Sequence, residues 1–255
     1  MIALEFEDVV KQFPGASYNA VDRVSLSIEE GELITIVGSS GCGKTTLLKL
    51  VNRIYEPDRG TIRLFGEDSA GKDAVRLRQG IGYVIQQIGL FPHMTVRQNI
   101  ATVPSILKWD KKRIKERVHE LLLLVNLDPD EFGGRYPYQL SGGQQQRVGL
   151  ARALAADPAV MLMDEPFGAI DAINRINLQN ELLRIHETNR KTYLFVTHDI
   201  NEAFRLGTRI LIMDRGRVQQ YGKQEEIIRS PANDFVRSLL NSAGERRDYT
   251  QGGGI

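Results

Sequence analysis

Apolar and polar residues alternate in short runs over residues 2–37, as residues 23–28 illustrate. A repeat of two residues is typical of strands with one buried face, so we predict antiparallel strands in this part of the chain. A further strand is predicted between glycines at residues 60–66, and a buried strand at residues 81–85.

The pattern turns helical between residues 95 and 125. Apolar residues of the stretch 111–125 recur at spacings of three and four, at Ile114, Val118, Leu121 and Leu122. This spacing predicts an amphipathic helix whose apolar face packs within a small helical lobe. A second helix is predicted over residues 144–156, where Asp157 and Pro158 end it.

Short apolar runs follow at residues 160–163, 193–196 and 209–213, and a long helical segment at 172–187 lies between the first two. Strands that alternate with helices in this way indicate a largely parallel sheet covered by helices. The chain becomes polar after about residue 242 and ends in a glycine-rich stretch, which we expect to be flexible.

Composition argues against nucleic-acid binding by net charge, an internal disulfide and a membrane-spanning segment. The 255 residues carry 33 Lys and Arg against 32 Asp and Glu, so no global basic field would hold nucleic acid. The single cysteine, Cys42, cannot form an internal disulfide, and the chain shows no secretory apolar segment at its start, which favours the cytosol. No apolar stretch approaches the roughly 20 residues that cross a bilayer. If a membrane is involved, another chain spans it.

A glycine-rich segment at residues 38–45, here called the phosphate loop, matches G-x-x-x-x-G-K-[ST] between the strand predicted at 33–37 and a helix predicted at 46–51. Backbone N–H groups of such a loop surround phosphate oxygens, and the helix dipole adds to their attraction. Lys44 is predicted to reach the β and γ phosphates of a nucleotide and Thr45 to bind Mg²⁺. The predicted nucleotide-binding residues are Gly38, Ser39, Ser40, Gly41, Cys42, Gly43, Lys44, Thr45 and Thr46.

Charged side chains are predicted at the carboxyl ends of two buried strands, where α/β sheets bind ligands. The apolar run 159–163 ends in Asp164 and Glu165. We expect Asp164 to hold Mg²⁺ and Glu165 to polarise the attacking water. His198 follows the run 193–196 and is predicted to contact the γ-phosphate or the water.

Residues 140–144, Leu-Ser-Gly-Gly-Gln, are here called the signature segment. With the phosphate loop and the two carboxylates, this segment makes the chain resemble the ATP-binding-cassette (ABC) ATPases over residues 2–240. The resemblance implies an α/β fold of the P-loop NTPase class, with a mixed, mainly parallel core sheet, an antiparallel β subdomain and a helical subdomain. The implied division is a sheet lobe at about 1–86 and 156–240, a helical subdomain at about 87–155, and a polar tail at 241–255.

The resemblance further implies a head-to-tail dimer, in which ATP lies between the phosphate loop of one subunit and the signature segment of the other. The residues implied to act across the dimer are Leu140, Ser141, Gly142, Gly143, Gln144 and Asp171. Asp171 follows Ile170 where the family usually has Leu, a change of shape with little change of volume. The family's catalytic glutamine, which links Mg²⁺ and the water to the helical lobe, is Gln86 by its spacing to residues 90–93, although Gln87 is adjacent. Phe13 resembles the aromatic residue that stacks on adenine.

A narrower resemblance lies in residues 81–96 and 230–236, which are similar to the ATPase subunits of importers for glycine betaine, choline or carnitine. It implies a membrane permease fed by an extracytoplasmic solute-binding protein, and an ATPase at the cytoplasmic face of the membrane. A helix of the permease would bind at Phe91, His93 and Met94. Many members of this group continue into tandem regulatory CBS domains, which this sequence lacks either naturally or by truncation.

Other functions remain as alternatives at this stage. Importers of other small solutes have related segments, and no residue identified above touches the solute. A cassette protein of DNA repair or translation would carry a coiled-coil insertion or two cassettes in one chain, and neither is visible. A phosphate-loop kinase or GTPase would lack the signature segment.

Overall fold

The computed structural model describes residues 1–86, 89–168 and 170–251, with the backbone alone for 243–251. The strands are β1 Ile2–Gln12, β2 Asn19–Glu29, β3 Leu33–Gly38, β4 Arg59–Leu64, β5 Glu67–Asp68, β6 Ile81–Val84, β7 Val160–Asp164, β8 Thr192–Val196, β9 Arg209–Asp214 and β10 Arg217–Gly222. The helices are α1 Lys44–Val51, α2 Ala74–Gln79, α3 Val96–Ile106, α4 Lys111–Leu124, α5 Pro129–Phe132, α6 Gly142–Leu154, α7 Ala172–Asn189, α8 Ile200–Leu206, α9 Gln224–Arg229 and α10 Asp234–Gln251. One turn of 3₁₀ helix, Pro137–Gln139, precedes α6.

The chain folds into two compact units, which are described separately. Unit 1 comprises residues 1–72 and 194–255, and unit 2 comprises residues 73–193. These boundaries differ from the predicted lobes. Strands β6 and β7 and helix α7 belong to the same unit as the helices predicted for the helical subdomain. The signature helix α6 packs against both β6 and α7, which explains that grouping. The division into a sheet lobe and a helical subdomain stays a prediction.

Unit 1 contains two sheets. The first is antiparallel with strand order β2-β1-β4-β5, as the alternating pattern of residues 2–37 predicts. In the second, β3 pairs in parallel with β9, and β10 adds an antiparallel edge. All six residues of β3 are buried, which is typical of a central parallel strand. A cluster of buried apolar residues covers this sheet with side chains from α8, α9 and α10.

Unit 2 is built around helices α3, α4 and α6, which pack on one another, and the parallel pair β6 and β7. The first residues of β8 also lie in this unit, where the Thr192 N–H donates to the Ala159 carbonyl over 3.3 Å. The amphipathic helix expected at 111–125 is α4, and its predicted apolar residues Val118, Leu121 and Leu122 are buried.

The predicted strands and helices with a clear apolar pattern are therefore confirmed, including β8 and the parallel-paired strands β7 and β9. The tail expected from residue 241 differs, because α10 continues to Gln251. Flexibility of this segment stays a prediction, and residues 252–255 lie outside the described part of the chain. Among the described residues, no helix combines the length and apolar character that membrane crossing requires.

Candidate functional site

The phosphate loop connects β3 to α1 through a backbone that requires glycine. Gly43 caps α1 with φ of 104°, a conformation that other residues rarely adopt. A Cβ atom at Gly43 would lie 2.1 Å from the carbonyl oxygen of Ala20, so the strand β2 also excludes a side chain there. The sequence thus places the helix N-terminus, with its orphan N–H groups, directly behind the loop.

Lys44 supplies a positive charge that is fixed in position. Its side chain is 6% exposed, and Nζ donates hydrogen bonds of 2.9 Å to the carbonyl oxygens of both Gly38 and Ser39. Burial raises the pKa of the neighbouring Cys42 thiol, against the opposing effect of the Lys44 ammonium. Cys42 is therefore a neutral, buried thiol that shapes the loop, and Lys44 is the cation that can attract an anion.

Asp214, the last residue of β9, and Gly216, just after it, support the phosphate loop from the side. Ser39 Oγ donates to Asp214 Oδ1 over 2.8 Å, and the Gly216 N–H donates to the Cys42 carbonyl over 3.0 Å. Sequence reasoning missed Asp214, although the run that ends in it has the same form, apolar residues and then aspartate, as the run that ends in Asp164.

Phe13 lies in unit 1 as part of an aromatic pair. Its ring meets that of Tyr55 edge to face at 5.0 Å, and the Lys11 ammonium lies 5.9 Å from its centre. It also lines a cavity of about 700 Å³, whose described lining includes no residue of the phosphate loop. The cavity is large enough for a nucleotide base, but stacking of adenine on Phe13 stays a prediction.

In unit 2, the structure brings together two of the predicted catalytic residues. Gln86 Nε2 donates to Glu165 Oε2 over 3.2 Å, although the residues are 79 positions apart in the sequence. Asp164 ends β7 and is buried, whereas Glu165 is half-buried and turns away with φ of 44°. Such a left-handed backbone at a non-glycine residue is strained and is often found at functional sites. Gln87, the alternative to Gln86, lies outside the described residues.

His198 follows β8 in unit 1 and is exposed. Hydrogen bonds hold the residues on both sides of it: the Thr197 N–H donates to the Ile36 carbonyl over 3.0 Å, and Asp199 caps α8 by accepting from the Asn201 N–H over 2.9 Å. The Thr197 hydroxyl donates to Glu202 Oε2 over 2.5 Å. The backbone around His198 is therefore fixed, while its imidazole can reach a ligand.

The signature segment forms the start of α6. Ser141 is the N-cap, with its Oγ accepting from the Gln144 N–H over 3.3 Å while Gln144 Oε1 accepts from the Ser141 N–H over 2.9 Å. Cβ atoms added at Gly142 or Gly143 would meet nothing within 4 Å. Within the described part of the chain no other residue excludes a side chain there, so these glycines leave the helix N-terminus open to an anion from outside.

Asp171 is the N-cap of α7 and accepts hydrogen bonds from Asn174, at 3.1 Å from the backbone N–H and 2.7 Å from Nδ2. The side-chain hydrogen bond from Asn174 lowers the pKa of Asp171, so this carboxylate is ionised. Its preceding residue, Ile170, is buried, and Ala169 lies outside the described part of the chain. A role of Asp171 in a second subunit stays a prediction.

The predicted permease contacts lie before α3 in unit 2. Phe91 and His93 are exposed, with ring centres 6.1 Å apart, and Met94 is half-buried. Asn99 holds this segment, because its Oδ1 accepts from the Phe91 N–H over 2.8 Å and its Nδ2 donates to the carbonyls of Phe91, Met94 and Thr95, each over 3.1 Å. The segment is thus an ordered, exposed apolar surface.

The structure divides the predicted residues between the units. The phosphate loop, Phe13 and His198 belong to unit 1, and Gln86, Asp164, Glu165, the signature segment and Asp171 belong to unit 2. Each unit therefore carries one set of groups suited to triphosphate chemistry: a cationic phosphate loop in the first, and a carboxylate pair with an open helix N-terminus in the second.

Comparisons with known proteins identify the family. The ABC transporter family model matches residues 21–168. The glycine betaine/carnitine/choline transport ATP-binding protein OpuCA of Bacillus subtilis is 52% identical over 237 residues, which cover 93% of this chain and 62% of that protein. The osmoprotectant import ATP-binding protein OsmV of Salmonella typhimurium is 49% identical over 259 residues, covering 96% of this chain and 68% of that protein. The chain thus spans about two thirds of the length of these relatives.

A solved structure shows the same fold. The ATP-binding cassette MJ0796, in a dimeric post-hydrolysis state bound to ADP and Pi, superimposes with a TM-score of 0.76 at 33% identity, covering 86% of this chain and 98% of that chain. The fold class and the family resemblance that the sequence indicates are both confirmed. By the family model, its relatives and its fold, the chain belongs to the ABC transporter family.

Proposed function

We propose that this chain binds and hydrolyses ATP and thereby energises an importer of quaternary-amine osmoprotectants such as glycine betaine, choline or carnitine. The hydrogen bond between Gln86 and Glu165 carries the catalytic part of the proposal. It places an amide beside the carboxylate that is best suited to polarise water, at the end of a buried strand. The substrate class follows from the transport functions named for the relatives OpuCA and OsmV.

ATP binding follows from the phosphate loop. Lys44 offers a fixed ammonium to the β and γ phosphates, and the N–H groups at the start of α1 offer hydrogen bonds. Phe13 would bind the base through its ring face. His198 would contact the γ-phosphate or the attacking water from its fixed position after β8.

Magnesium would be held by the Thr45 hydroxyl, the Asp164 carboxylate and the Gln86 amide oxygen. These are hard oxygen donors of the kind that Mg²⁺ prefers. Within the described ranges, no three His, Cys, Asp or Glu side chains form a metal cluster, which fits an ion bound mainly by phosphates and water. The ion would neutralise charge on the β and γ phosphates.

The active form would be a head-to-tail homodimer. Ser141, Gly142 and Gly143 present a helix N-terminus, and among the described residues nothing else would meet a Cβ atom within 4 Å at either glycine. An anion from a second copy of the chain, namely ATP on its phosphate loop, fits this surface by charge. Asp171 would meet the same partner. Closure of the dimer on ATP and its release after hydrolysis would drive the transporter.

The permease would bind at Phe91, His93 and Met94, whose exposed apolar surface suits an amphipathic helix of a membrane subunit. That arrangement places the ATPase at the cytoplasmic face of the membrane, with a solute-binding protein delivering solute on the opposite side. In the transporter, Phe91→Asp should abolish coupling between hydrolysis and uptake while basal hydrolysis continues.

The first experiment measures ATP turnover of the purified chain and of Glu165→Gln, with Glu187→Gln as the control. Glu187 is an exposed carboxylate on α7, and its change should leave turnover unaltered. Loss of a general base costs about 10² to 10⁴ in rate. We expect Glu165→Gln to bind ATP and to accumulate as a dimer. If Glu165→Gln hydrolyses ATP at the rate of the native chain, Glu165 is not the general base.

The second experiment identifies the solute. Cells carrying the permease and either the native chain or Glu165→Gln are given labelled glycine betaine, choline and carnitine at low and high osmolarity. Uptake of one solute that disappears with Glu165→Gln would identify that solute. If uptake of all three solutes is unchanged, the proposed ATPase activity stands, and the chain belongs to an importer of another small solute.

A further inference from the structure

A polar cluster around the buried Glu181 joins α4, α6 and α7 of unit 2. Arg147 on α6 and Glu181 on α7 form an ion pair, with 3.3 Å between Nε and Oε2. Asn126, just after α4, donates from Nδ2 to Glu181 Oε1 over 2.9 Å, and its carbonyl accepts from Arg147 Nη1 over 3.4 Å. We call Asn126, Arg147 and Glu181 the helix triad. Each member contacts the other two, so a displacement of one helix is resisted by both neighbours.

The helix triad is poorly explained as a device for stability. The Glu181 side chain is 4% exposed and that of Arg147 is 24% exposed, so both charges have lost most of their water. Burial raises the pKa of Glu181, and the charges of Arg147 and Arg184 oppose this effect only in part. An apolar pair of the same volume often stabilises a fold as well or better, whereas a buried ion pair can define one geometry.

The two helices that the pair connects each carry a segment with a predicted role in the dimer. The signature segment is bound to α6 by the Ser141–Gln144 capping box, and Gln145 Nε2 donates to the carbonyls of Pro137 and Leu140 over 3.0 and 3.2 Å. The signature segment therefore cannot shift without α6.

The segment around Asp171 is bound to α7 in a similar way. Asp171 caps the helix, and Arg175 Nη2 donates to the Ile170 carbonyl over 3.1 Å. Arg147 lies between one and two turns into α6 from the N-cap Ser141, and Glu181 lies between two and three turns into α7 from Asp171. The pair is well placed to fix the angle between these helices without touching a ligand.

We propose that the helix triad consists of positioning residues, which hold the signature segment and Asp171 in one fixed relation so that both meet the partner subunit's ATP together. This inference rests on the proposed function for its purpose, but the positioning itself can be tested without ATP. The triad acts through the segments it holds.

The first test uses Glu181→Gln, which keeps an oxygen acceptor for Asn126 and removes the charge that faces Arg147. The control is Glu32→Gln, which breaks a partly buried pair with Arg209 at 2.7 Å in unit 1. Amide hydrogen exchange is measured on the folded proteins without nucleotide. We expect Glu181→Gln to speed exchange roughly tenfold at the starts of α6 and α7, within the range of coupled residues, and to leave α1 unchanged. Equal exchange in Glu181→Gln and Glu32→Gln would overturn the positioning role.

The second test measures ATP-driven dimerisation in the Glu165→Gln background. Glu181→Gln should leave ATP binding to the monomer unchanged, because the phosphate loop lies in unit 1, and should weaken dimerisation roughly tenfold. If the triad acts through the signature segment, Glu181→Gln should add little to the loss caused by Ser141→Ala. Fully additive losses would refute this route of action.

The two proposals can fail separately. If the Glu165→Gln parent does not dimerise with ATP, the proposed dimer is wrong, and the exchange measurement alone decides whether the triad positions the two segments. If the parent dimerises and Glu181→Gln matches the Glu32→Gln control, the proposed function stands and the positioning role is refuted.

Discussion

Replacing Gly43 by alanine tests the physical basis of the phosphate loop. The residue has φ of 104°, and a Cβ atom would approach the Ala20 carbonyl oxygen to 2.1 Å. Backbone strain of this kind costs about 1–3 kcal/mol. Moving β2 to relieve the overlap costs about 1–3 kcal/mol more, as overpacking in a filled interior does. The expected loss, about 2–6 kcal/mol, is a large part of the 5–15 kcal/mol that stabilises a typical domain.

Gly41→Ala is the matched control in the same loop. Its φ of 74° is also left-handed, but a Cβ atom there would meet nothing within 4 Å. Only the strain remains, about 1–2 kcal/mol. Urea denaturation and the affinity for a fluorescent ATP analogue would be measured for both variants. We expect Gly43→Ala to unfold at clearly lower urea and to lose nucleotide affinity. Equal midpoints for the two variants would show that the contact with Ala20 does not dictate glycine at this position.

Two further predictions concern segments outside the phosphate loop. Asn99→Ala removes the side chain that binds Phe91, Met94 and Thr95. The Phe91 N–H and the Met94 carbonyl lose their Asn99 partner, which should cost about 1–3 kcal/mol and speed amide exchange at residues 91–95. Unchanged exchange there would contradict the structural role of Asn99. The Gln12 N–H, followed by the Lys11 ammonium, lowers the pKa of Asp58 below its ordinary value of 3.8. Because the folded-state pKa is the lower one, the ionised carboxylate stabilises the fold above pH 3.8, and this contribution is lost as the pH falls below that value. The melting temperature of Asp58→Asn should therefore lie below that of the native chain at pH 7, and the difference should shrink as the pH falls below 3.8. A difference that does not change with pH would refute the assignment.

The sequence predicts the features that depend on local pattern. The phosphate loop, β3 and β7 are recognisable because a buried parallel strand is apolar along its whole length and ends in a glycine or a carboxylate. Strand β10 is not recognisable in this way. It is an edge strand whose residues are mostly half-buried, so it lacks both an apolar run and a clear alternation.

Contacts between distant residues were beyond pattern reasoning. Gln86 and Glu165 are both predicted as catalytic residues, but their hydrogen bond depends on how β6 and β7 pair, which no spacing in the sequence reveals. The sequence pattern does not predict the Arg147–Glu181 ion pair, because each residue has the pattern of an ordinary exposed charge on a helix. Its burial comes from the packing of α6 on α7, a tertiary property.

The left-handed backbone of Glu165 has a consequence for how this protein can change. Glycine, or failing that asparagine, would adopt φ of 44° at less cost than glutamate, by about 1–2 kcal/mol. If Glu165 is the base, as proposed, a directed-evolution experiment that rewarded heat resistance alone would favour those residues at position 165 and would produce stable proteins without turnover. Under that proposal, folding and chemistry prefer different amino acids at this one position.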